Sequence, residues 1–381
     1  MQTAAPVNDD ALTEFRRARD SCDRSLVELS HYRRKVRPWL EELAAEAGPD
    51  ETVDMYGERA IVADFEDEIA ALLGKEAAVL MPSGTMAQQI ALRIWAEGQG
   101  SRRVAFHPRC HLEMHEAKAY QALHQLEGVL VGEATELITL DALKAVPGRL
   151  AALLLELPQR EIGGQLPTWL ELTAQVSWAR EGRIRLHLDG ARLLEAAPAM
   201  GHSVTEISGL FDSVYISLYK GLGGLAGAML CGPQGFIAEA RTWRQRHGGN
   251  VFRMFPMVVS GRSALHRKLG RFPLYRERAL RLAEALRRVP GVQLLPDPPQ
   301  SHMMHAYFPG RKDELLRRAT AIAEQEKVAL FRYLDIAEVP GYCRAELEMG
   351  EDAMAVSDAE VTTLYRRLLQ IPDSRGPGSA G

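Results

Sequence analysis

From residue 56 to about residue 235, short apolar runs alternate with amphipathic stretches, and this alternation constrains the fold more strongly than any other feature. Two of the amphipathic stretches, with helical spacing, lie at 64–73 and 85–97. Strands that are apolar throughout are buried on both faces, so the pattern predicts an α/β fold in which helices cover both faces of a mostly parallel sheet. The apolar runs lie at 78–81, 103–106, 150–157, 184–188, 213–218 and 226–231.

The segments on either side of this region have different patterns. Residues 1–50 are charged and helix-prone, and they end in a Gly-Pro-Asp turn, which predicts an N-terminal helical arm. A large domain is expected at 51–260. The segment 261–372 combines basic helical stretches with short strand-like runs, which predicts a smaller α+β C-terminal domain. The glycine-rich end at 373–381 is expected to be disordered.

Composition and charge argue against several classes of protein. With 381 residues and 46% hydrophobic composition, the chain can bury a core and is expected to form two domains. The net charge of −4 argues against binding to nucleic acid or to a membrane surface, and no apolar run approaches the roughly 18 residues of a spanning helix. The N-terminus lacks the pattern of a secretory signal, and the four cysteines form no CxxC pair. We therefore expect a cytoplasmic protein with reduced thiols.

The segment SVYISLYKGLGG brings an apolar strand to Lys220, and Gly221, Gly223 and Gly224 follow at once. A lysine at the end of a buried strand is costly unless it is paired or used chemically. Desolvation lowers the pKa of such an amine, and a lysine that forms an imine needs the neutral form. Glycines let the backbone approach a ligand closely. A surface lysine in a glycine turn is the alternative interpretation.

A second apolar strand ends at Asp189, in the segment RLHLDGAR. Ligands of open α/β sheets lie beyond the carboxyl ends of the strands, so Asp189 and Lys220 are expected at the same edge. A carboxylate in that place can keep the nitrogen of a pyridine ring protonated, which makes the ring an electron sink. Arg192 lies three residues further on and is placed to point back to the same ligand. The alternative role for Asp189 is a helix N-cap.

The tripeptide Ser83-Gly84-Thr85 stands between a predicted strand and a predicted helix. Free N–H groups and the helix dipole favour a phosphate at such a helix N-terminus. Ser217, three residues before Lys220, is a further hydrogen-bond donor for the phosphate. A plain N-cap is the alternative. A phosphate site followed by a carboxylate and a lysine predicts pyridoxal phosphate (PLP), held as a Schiff base on Lys220.

Three histidines, His107, His111 and His115, recur every four residues. On a helix they share a face, and together with Glu116 or Cys110 this spacing suits zinc. A proline directly after the first histidine argues against a continuous helix. The rival interpretation stacks His111 on the flat face of the cofactor ring, and purely structural histidines are a third possibility. We predict no metal ion.

Five segments carry a resemblance to a known family: MYGER at 55–59, then LLGKEAAVLMPSGTMAQQIAL, HLDGARLLEAA, SLYKGLG and ARTWRQRHGG. Over about residues 54–249 the chain resembles the threonine aldolase and aromatic amino acid beta-eliminating lyase family of PLP enzymes, of fold type I. The resemblance implies a large PLP-binding domain with a seven-stranded, mostly parallel sheet and a smaller α+β domain. It also implies a homodimer or homotetramer with sites at the subunit interface.

The resemblance assigns roles to residues of this sequence. Lys220 resembles the Schiff-base lysine, Asp189 the partner of the pyridine nitrogen, and Arg192 an arginine near the phenolic oxygen of the cofactor. His111 corresponds to the ring-stacking histidine. The remaining residues are Ser83, Gly84, Thr85, Ser217 and Arg253 for the phosphate, and Tyr56, Gln159 and Arg344 for the substrate, with Arg344 on its carboxylate.

The chain departs from the family pattern at several positions. An RSDTVT-like N-terminal segment is absent. The family's Glu-Asn-Thr-His segment reads Glu-Leu-Pro-Gln, which puts Gln159 in place of a histidine near the substrate β-hydroxyl. Glutamine cannot act as a general base. Tyr219 replaces a serine before the lysine, and GGNVFR replaces GGGMRQ, which leaves Arg253 as the substitute in the phosphate segment.

The resemblance implies aldol cleavage of a β-hydroxy-α-amino acid to glycine and an aldehyde. His111, Glu161 or a water is then expected to take the β-hydroxyl proton. Racemisation, β-elimination or transamination of another amino acid is the alternative, because the same electron sink serves all these reactions. A PLP-holding partner subunit with little catalysis and a histidine-based metal hydrolase are less favoured hypotheses.

Overall fold

The computed structural model describes residues 9–372, in which the chain alternates between helices and strands. The helices are α1 (Asp9–Asp20), α2 (Val36–Glu46), α3 (Ala60–Leu73), α4 (Gly84–Gln99), α5 (His111–Met114), α6 (Ala119–His124), α7 (Leu140–Lys144), α8 (Trp169–Glu181), α9 (Leu193–Met200), α10 (Val204–Ser208), α11 (Gln234–Arg246), α12 (Phe255–Lys268), α13 (Phe272–Arg287), α14 (Lys312–Glu326) and α15 (Asp358–Leu368). The strands are β1 (Arg24–Ser25), β2 (Ala77–Met81), β3 (Arg103–Phe106), β4 (Glu127–Leu130), β5 (Ala152–Glu156), β6 (Arg185–Asp189), β7 (Ser213–Ser217), β8 (Ala228–Gly232), β9 (Gln293–Leu295), β10 (Met303–Pro309), β11 (Val328–Ala329), β12 (Asp335–Ile336) and β13 (Tyr342–Glu348). Short 3₁₀ helices lie at Ser30–Tyr32, Arg160–Ile162 and Asp352–Ala355.

These elements form two compact units. The large unit is Lys35–Pro273, and the small unit combines residues 9–34 with residues 274–372. The predicted tail at 373–381 and the first eight residues of the predicted arm lie outside the described residues. Within residues 9–372 we find no helix whose length and apolar composition would suit a bilayer.

The large unit contains a seven-stranded sheet with the strand order β2-β8-β7-β6-β5-β3-β4. Neighbouring strands from β7 to β4 pair in parallel, and β8 pairs antiparallel with both β2 and β7. Six strands therefore run in one direction and one runs against them, which confirms the predicted α/β fold with a mostly parallel sheet. The parallel strands bring the carboxyl ends of β5, β6 and β7 to one edge of the sheet.

Helix α4 shows why these residues form this layer. Its apolar side chains at 87, 90, 91 and 94 follow helical spacing and pack against Val79 and Leu230 of the sheet. Each fully buried Val, Leu or Ile side chain in this layer contributes about 1.5–3 kcal/mol. Ser83 caps the helix by accepting a hydrogen bond from the Met86 N–H at 3.2 Å, and Gly100 ends the helix in the left-handed conformation.

The small unit has a four-stranded antiparallel sheet in the order β12-β13-β10-β9 and a two-stranded parallel sheet of β1 and β11. Its core includes Phe308, whose ring stacks on Tyr365 at 5.4 Å between centroids. Sheet and helices together confirm the predicted α+β character of the C-terminal part.

The compact units group some segments differently from the predicted domains. Because Arg24 and Ser25 pair with Val328 and Ala329, residues 9–34 belong with the C-terminal part of the chain. Helix α2, from the same predicted arm, belongs to the large unit. The predicted domain boundaries at residues 50, 260 and 372 stay a prediction.

Candidate active site

The carboxyl ends of β5, β6 and β7 bring acidic and basic side chains together. Glu156 and Asp189, the last residues of β5 and β6, are paired in register on neighbouring strands. Strand β7 ends at Ser217, and Lys220 follows three residues later. The three side chains are close enough to interact electrostatically. Against the lowering caused by burial, the negative charges of Asp189 and Glu156 both act to raise the pKa of the Lys220 amine.

Lys220 is half-buried, and its amine makes no hydrogen bond and no ion pair within residues 9–372. Burial is the main cause that lowers the pKa of this amine, and the positive charge of Arg192 lowers it further. The turn after Lys220 needs glycine. A Cβ at Gly221 would stand 1.6 Å from Glu195 Oε1, and one at Gly224 would stand 2.5 Å from the Leu218 carbonyl oxygen.

A chain of buried hydrogen bonds holds the Asp189 carboxylate. The amide nitrogen of Gln88 donates to Asp189 Oδ2, and the Gln88 oxygen accepts from His187 Nε2 at 2.7 Å. Ser213 Oγ donates to His187 Nδ1 at 2.8 Å and accepts from Trp95 Nε1 at 2.8 Å. Burial lowers the pKa of His187 to about 3, so the ring is neutral and carries one N–H. A carboxylate can only accept hydrogen bonds, so the donors in this series of hydrogen bonds point along it toward Asp189.

This chain contains residues that sequence reasoning missed. Gln88, His187 and Ser213 received no role, although one signal was available. His187 stands two residues before Asp189 on β6, and side chains at that spacing lie on the same face of a strand. The partner on α4 had no comparable signal, because Gln88 and Asp189 are 101 residues apart in the chain.

The Ser83-Gly84-Thr85 segment forms the N-terminus of α4, as its spacing predicted. The backbone N–H groups of Gly84 and Thr85 have no acceptor within residues 9–372. A Cβ at Gly84 would stand 2.1 Å from the Tyr215 hydroxyl, so no other residue fits this approach. Ser217 is buried, and its hydroxyl accepts a weak hydrogen bond from the Tyr219 N–H at 3.4 Å. Two unused donors at a helix N-terminus suit an anion.

The three histidines predicted as a group have different partners. His107 uses both ring nitrogens, with the Glu136 carbonyl at 2.8 Å and the Arg109 N–H at 3.0 Å. His115 bonds through Nε2 to Glu161 at 2.8 Å. Among the described residues no three His, Cys, Asp or Glu side chains form a group that could hold a metal ion.

His111 and the buried Glu116 form a hydrogen-bonded pair. The Nδ1–H of His111 donates to Glu116 Oε1 at 2.9 Å, and Gln89 Nε2 donates to the other carboxylate oxygen at 3.3 Å. The side chain of Glu116 is 1% exposed, against 28% for His111. This contact fixes the tautomer and leaves His111 Nε2 as an acceptor. Sequence reasoning considered Glu116 only as a zinc ligand.

Glu156 is the other acidic residue that sequence reasoning left without a role. It accepts hydrogen bonds from Gln159 Nε2 and from the Arg160 N–H, both at 3.2 Å. Burial, and next the charge of Asp189, raises the pKa of Glu156 to about 7. Gln159, which is buried, also donates to the Arg109 carbonyl at 3.1 Å. Like Asp189, Glu156 ends an apolar strand, and that position was the available signal.

The other predicted site residues are Arg192, Arg253, Tyr56 and Arg344, and their surroundings differ. Arg192 is buried and its positive charge acts on the Lys220 amine. Arg253 donates to the Asp54 carbonyl, with its guanidinium 4.0 Å from the Phe252 ring centre. Tyr56 is 47% exposed and has a left-handed backbone. Arg344 lies on β13 in the small unit, where it forms an ion pair with Glu338 at 3.3 Å.

Replacing Gln88 with leucine tests the hydrogen-bond chain. Gln88→Leu leaves the His187 Nε2–H and one Asp189 oxygen buried without a partner, and each such group costs about 1–3 kcal/mol. We expect a matching fall in the free energy of unfolding, measured by urea titration. Gln99→Leu, at the last residue of the same helix, is the control and should change stability little. Equal effects of the two substitutions would contradict the role of Gln88.

Comparisons with known proteins find a matching family model and similar sequences and structures. Residues 40–308 match the family model described as beta-eliminating lyase. A low specificity L-threonine aldolase of Escherichia coli is 32% identical over 260 residues, which cover 67% of this chain and 76% of that protein. A solved structure from Listeria monocytogenes EGD-E, provisionally assigned as an L-allo-threonine aldolase, is 38% identical, with a TM-score of 0.90 over 95% of this chain and 100% of that chain. A solved Exiguobacterium structure, provisionally assigned as an aromatic amino acid beta-eliminating lyase/threonine aldolase, is 40% identical, with a TM-score of 0.88 over 94% of this chain and 99% of that chain.

Proposed function

The chain belongs to the beta-eliminating lyase family, and on that premise we propose that it is a PLP-dependent aldolase. Its substrate is a β-hydroxy-α-amino acid of the threonine type, and its products are glycine and an aldehyde. The fold is that of fold type I PLP enzymes. The observation that carries the proposal is the half-buried amine of Lys220, which has no partner within residues 9–372 and stands at the same sheet edge as Asp189.

The residues at this edge fit PLP. Lys220 offers a free amine of lowered pKa, and Asp189 offers a fixed carboxylate for the pyridine nitrogen. Gly84 and Thr85 offer two unused N–H groups for the phosphate. The other proposed contacts are Ser83, Ser217 and Arg253 for the phosphate, Arg192 for the phenolic oxygen and His111 for the ring face. When bound, PLP supplies an electron sink for the charge that develops at the substrate Cα.

Asp189 and Lys220 prepare this chemistry. The Asp189 carboxylate would hold the pyridine nitrogen of PLP and favour its protonated form, because Gln88 fixes the carboxylate and burial strengthens the charge interaction. The lowered pKa of Lys220 gives a larger share of neutral amine, which is the nucleophilic form. Burial and the negative charge of Asp189 raise the pKa of Glu156, which favours the protonated form of this carboxyl and limits its repulsion from Asp189.

His111 is the group we propose for the β-hydroxyl proton. Glu116 holds its Nδ1–H, so Nε2 is available to accept a proton. Gln159 replaces the histidine of the family pattern, and its amide nitrogen is already used by Glu156 and Arg109. Glu161, the other candidate side chain, forms a hydrogen bond with His115. Arg344 is proposed to hold the substrate carboxylate, because its planar fork matches a carboxylate bidentately.

We also propose a homodimer or homotetramer that acts in the cytoplasm. The Tyr56 ring is exposed and lies 5.2 Å from Phe252, which supports the proposed role of Tyr56 near the site of a neighbouring subunit. Cys22, Cys110, Cys231 and Cys343 are buried free thiols, which suits a reducing compartment.

Aldehyde release is the direct test of the proposed reaction. Protein supplied with PLP should release aldehyde from threonine, allo-threonine or phenylserine, measured with a coupled alcohol dehydrogenase. Lys220→Ala should lower the rate by about 1000-fold or more, the scale seen when a covalent nucleophile is removed. Lys144→Ala, at the end of α7, is the matched control and should keep the rate. Absence of aldehyde from all three substrates would reject the aldolase in favour of racemisation, elimination or transamination.

Replacing His111 with phenylalanine separates its two candidate roles. Phenylalanine keeps a flat ring for stacking and removes the proton acceptor. We expect His111→Phe to lower kcat by about 10²–10⁴-fold, with PLP absorbance and KM little changed. His115→Phe is the control on the neighbouring ring, 5.2 Å away between centroids. A variant that keeps kcat would show that His111 only stacks.

A further inference from the structure

A second cavity lies in the large unit, away from the proposed active site. Its volume is about 460 Å³, within the usual range for small-molecule sites. It is at the amino-terminal ends of the strands, because Arg185 begins β6 and Asp212 directly precedes β7. Asp189 and Ser217 end the same two strands. Four peptide steps of roughly 3.3 Å separate Arg185 from Asp189, so the two sites are about 13 Å apart or more.

The cavity is lined by four arginines and one carboxylate. Arg180 lies in the last turn of α8, Arg183 in the connection that follows, and Arg185 begins β6. The fourth arginine, Arg149, lies in the loop before β5. The carboxylate of Asp212 accepts from Arg185 at 2.8 Å and from the Leu186 N–H at 2.8 Å. The lining therefore carries a formal excess of three positive charges, which are four guanidinium groups less one carboxylate.

Most of the donors on these arginines are unused. Arg180 donates one nitrogen to the carbonyls of Gly209 and Leu210, at 3.3 and 3.2 Å. Arg149 donates to Gln99 at 3.2 Å. The Arg183 guanidinium makes no hydrogen bond and no ion pair with the described part of the chain. Each guanidinium has five N–H donors, so the group can offer several more bonds to an anion.

Backbone geometry positions Arg183, and contacts with neighbouring side chains position Arg185. Arg183 has a φ of 54°, a left-handed conformation that glycine adopts more easily than any residue with a side chain. The Arg183 N–H donates to the Arg180 carbonyl at 3.0 Å, so this left-handed residue belongs to the turn that ends α8. Arg185 is fixed by Asp212 and by its position 5.1 Å from the centre of the Trp95 ring.

We propose that this cavity binds a small phosphorylated anion with at least two negative charges. Guanidinium forks match phosphate oxygens bidentately. Several arginines around one cavity suit a compact ligand with more than one negative charge better than a ligand with a single charge. Phe211, which is buried, and Ile184 give the cavity an apolar floor for the rest of such a molecule. The net charge of −4 for the whole chain disfavours nucleic acid as the ligand.

Isothermal titration calorimetry with inorganic pyrophosphate tests the proposal. The protein is saturated with PLP and reduced with borohydride beforehand, so that pyrophosphate does not compete for the cofactor phosphate site. We expect one binding site per chain, with affinity that falls as salt increases. Arg183→Gly and Arg149→Gln should each weaken binding by about tenfold or more, the scale of a lost charge-assisted hydrogen bond.

The variants keep the test independent of folding. Arg183→Gly removes the guanidinium and relieves the left-handed backbone, so the fold should persist, as checked by thermal unfolding. Arg317→Gln, on α14 in the small unit, makes the same change in net charge as Arg149→Gln and should leave binding unchanged. The proposal is overturned if pyrophosphate does not bind, if it binds equally well to Arg183→Gly, or if only an oligonucleotide binds.

Discussion

The hydrogen bond from Gln88 to the buried carboxylate of Asp189 is the contact on which the rest of the site depends. A carboxylate at the end of a strand covered on both faces is stable only if donors surround it. Gln88 provides such a donor because His187, Ser213 and Trp95 in turn fix its amide. Because His187 is neutral and carries one N–H, the hydrogen bonds in this series all donate in one direction, toward Asp189. The carboxylate is thus held rigidly before any ligand binds.

The same sheet geometry explains the charges around Lys220. Parallel strands place Glu156, Asp189 and the turn after Ser217 at one edge, where two acids and an amine share a buried environment. Burial is the main cause of both the raised pKa of Glu156 and the lowered pKa of Lys220. The charge of Asp189 raises the pKa of Glu156 further, and the charge of Arg192 lowers the pKa of Lys220 further, while the two acids partly oppose that lowering. Opposite shifts of this kind separate a group that holds a proton from a group that acts as a nucleophile.

The sequence was sufficient where the physical cause is local. The strand that ends at Asp189, the strand that precedes Lys220 and the helix N-terminus at Ser83–Thr85 follow from short patterns. The α/β fold follows from the alternation of apolar and amphipathic segments. Pairs between distant segments were not predictable from one sequence. Gln88 and Asp189 are 101 residues apart, and their contact required the packing of α4 on the sheet. His111 and Glu116 are only five residues apart, but their contact depends on the turn after α5, which no short pattern predicted. The pairing of β1 with β11 likewise joins segments about 300 residues apart, as the Ser25–Ala329 contact shows.

A covalent link between PLP and Lys220 is the central feature of the proposed active site. Borohydride reduction of the coloured protein, followed by proteolysis and mass spectrometry, locates that link directly. We predict that visible absorbance is lost on reduction and that the pyridoxyl mass is found on the peptide containing Lys220. Colourless protein that contains bound zinc, or a pyridoxyl label on another lysine, would contradict the account.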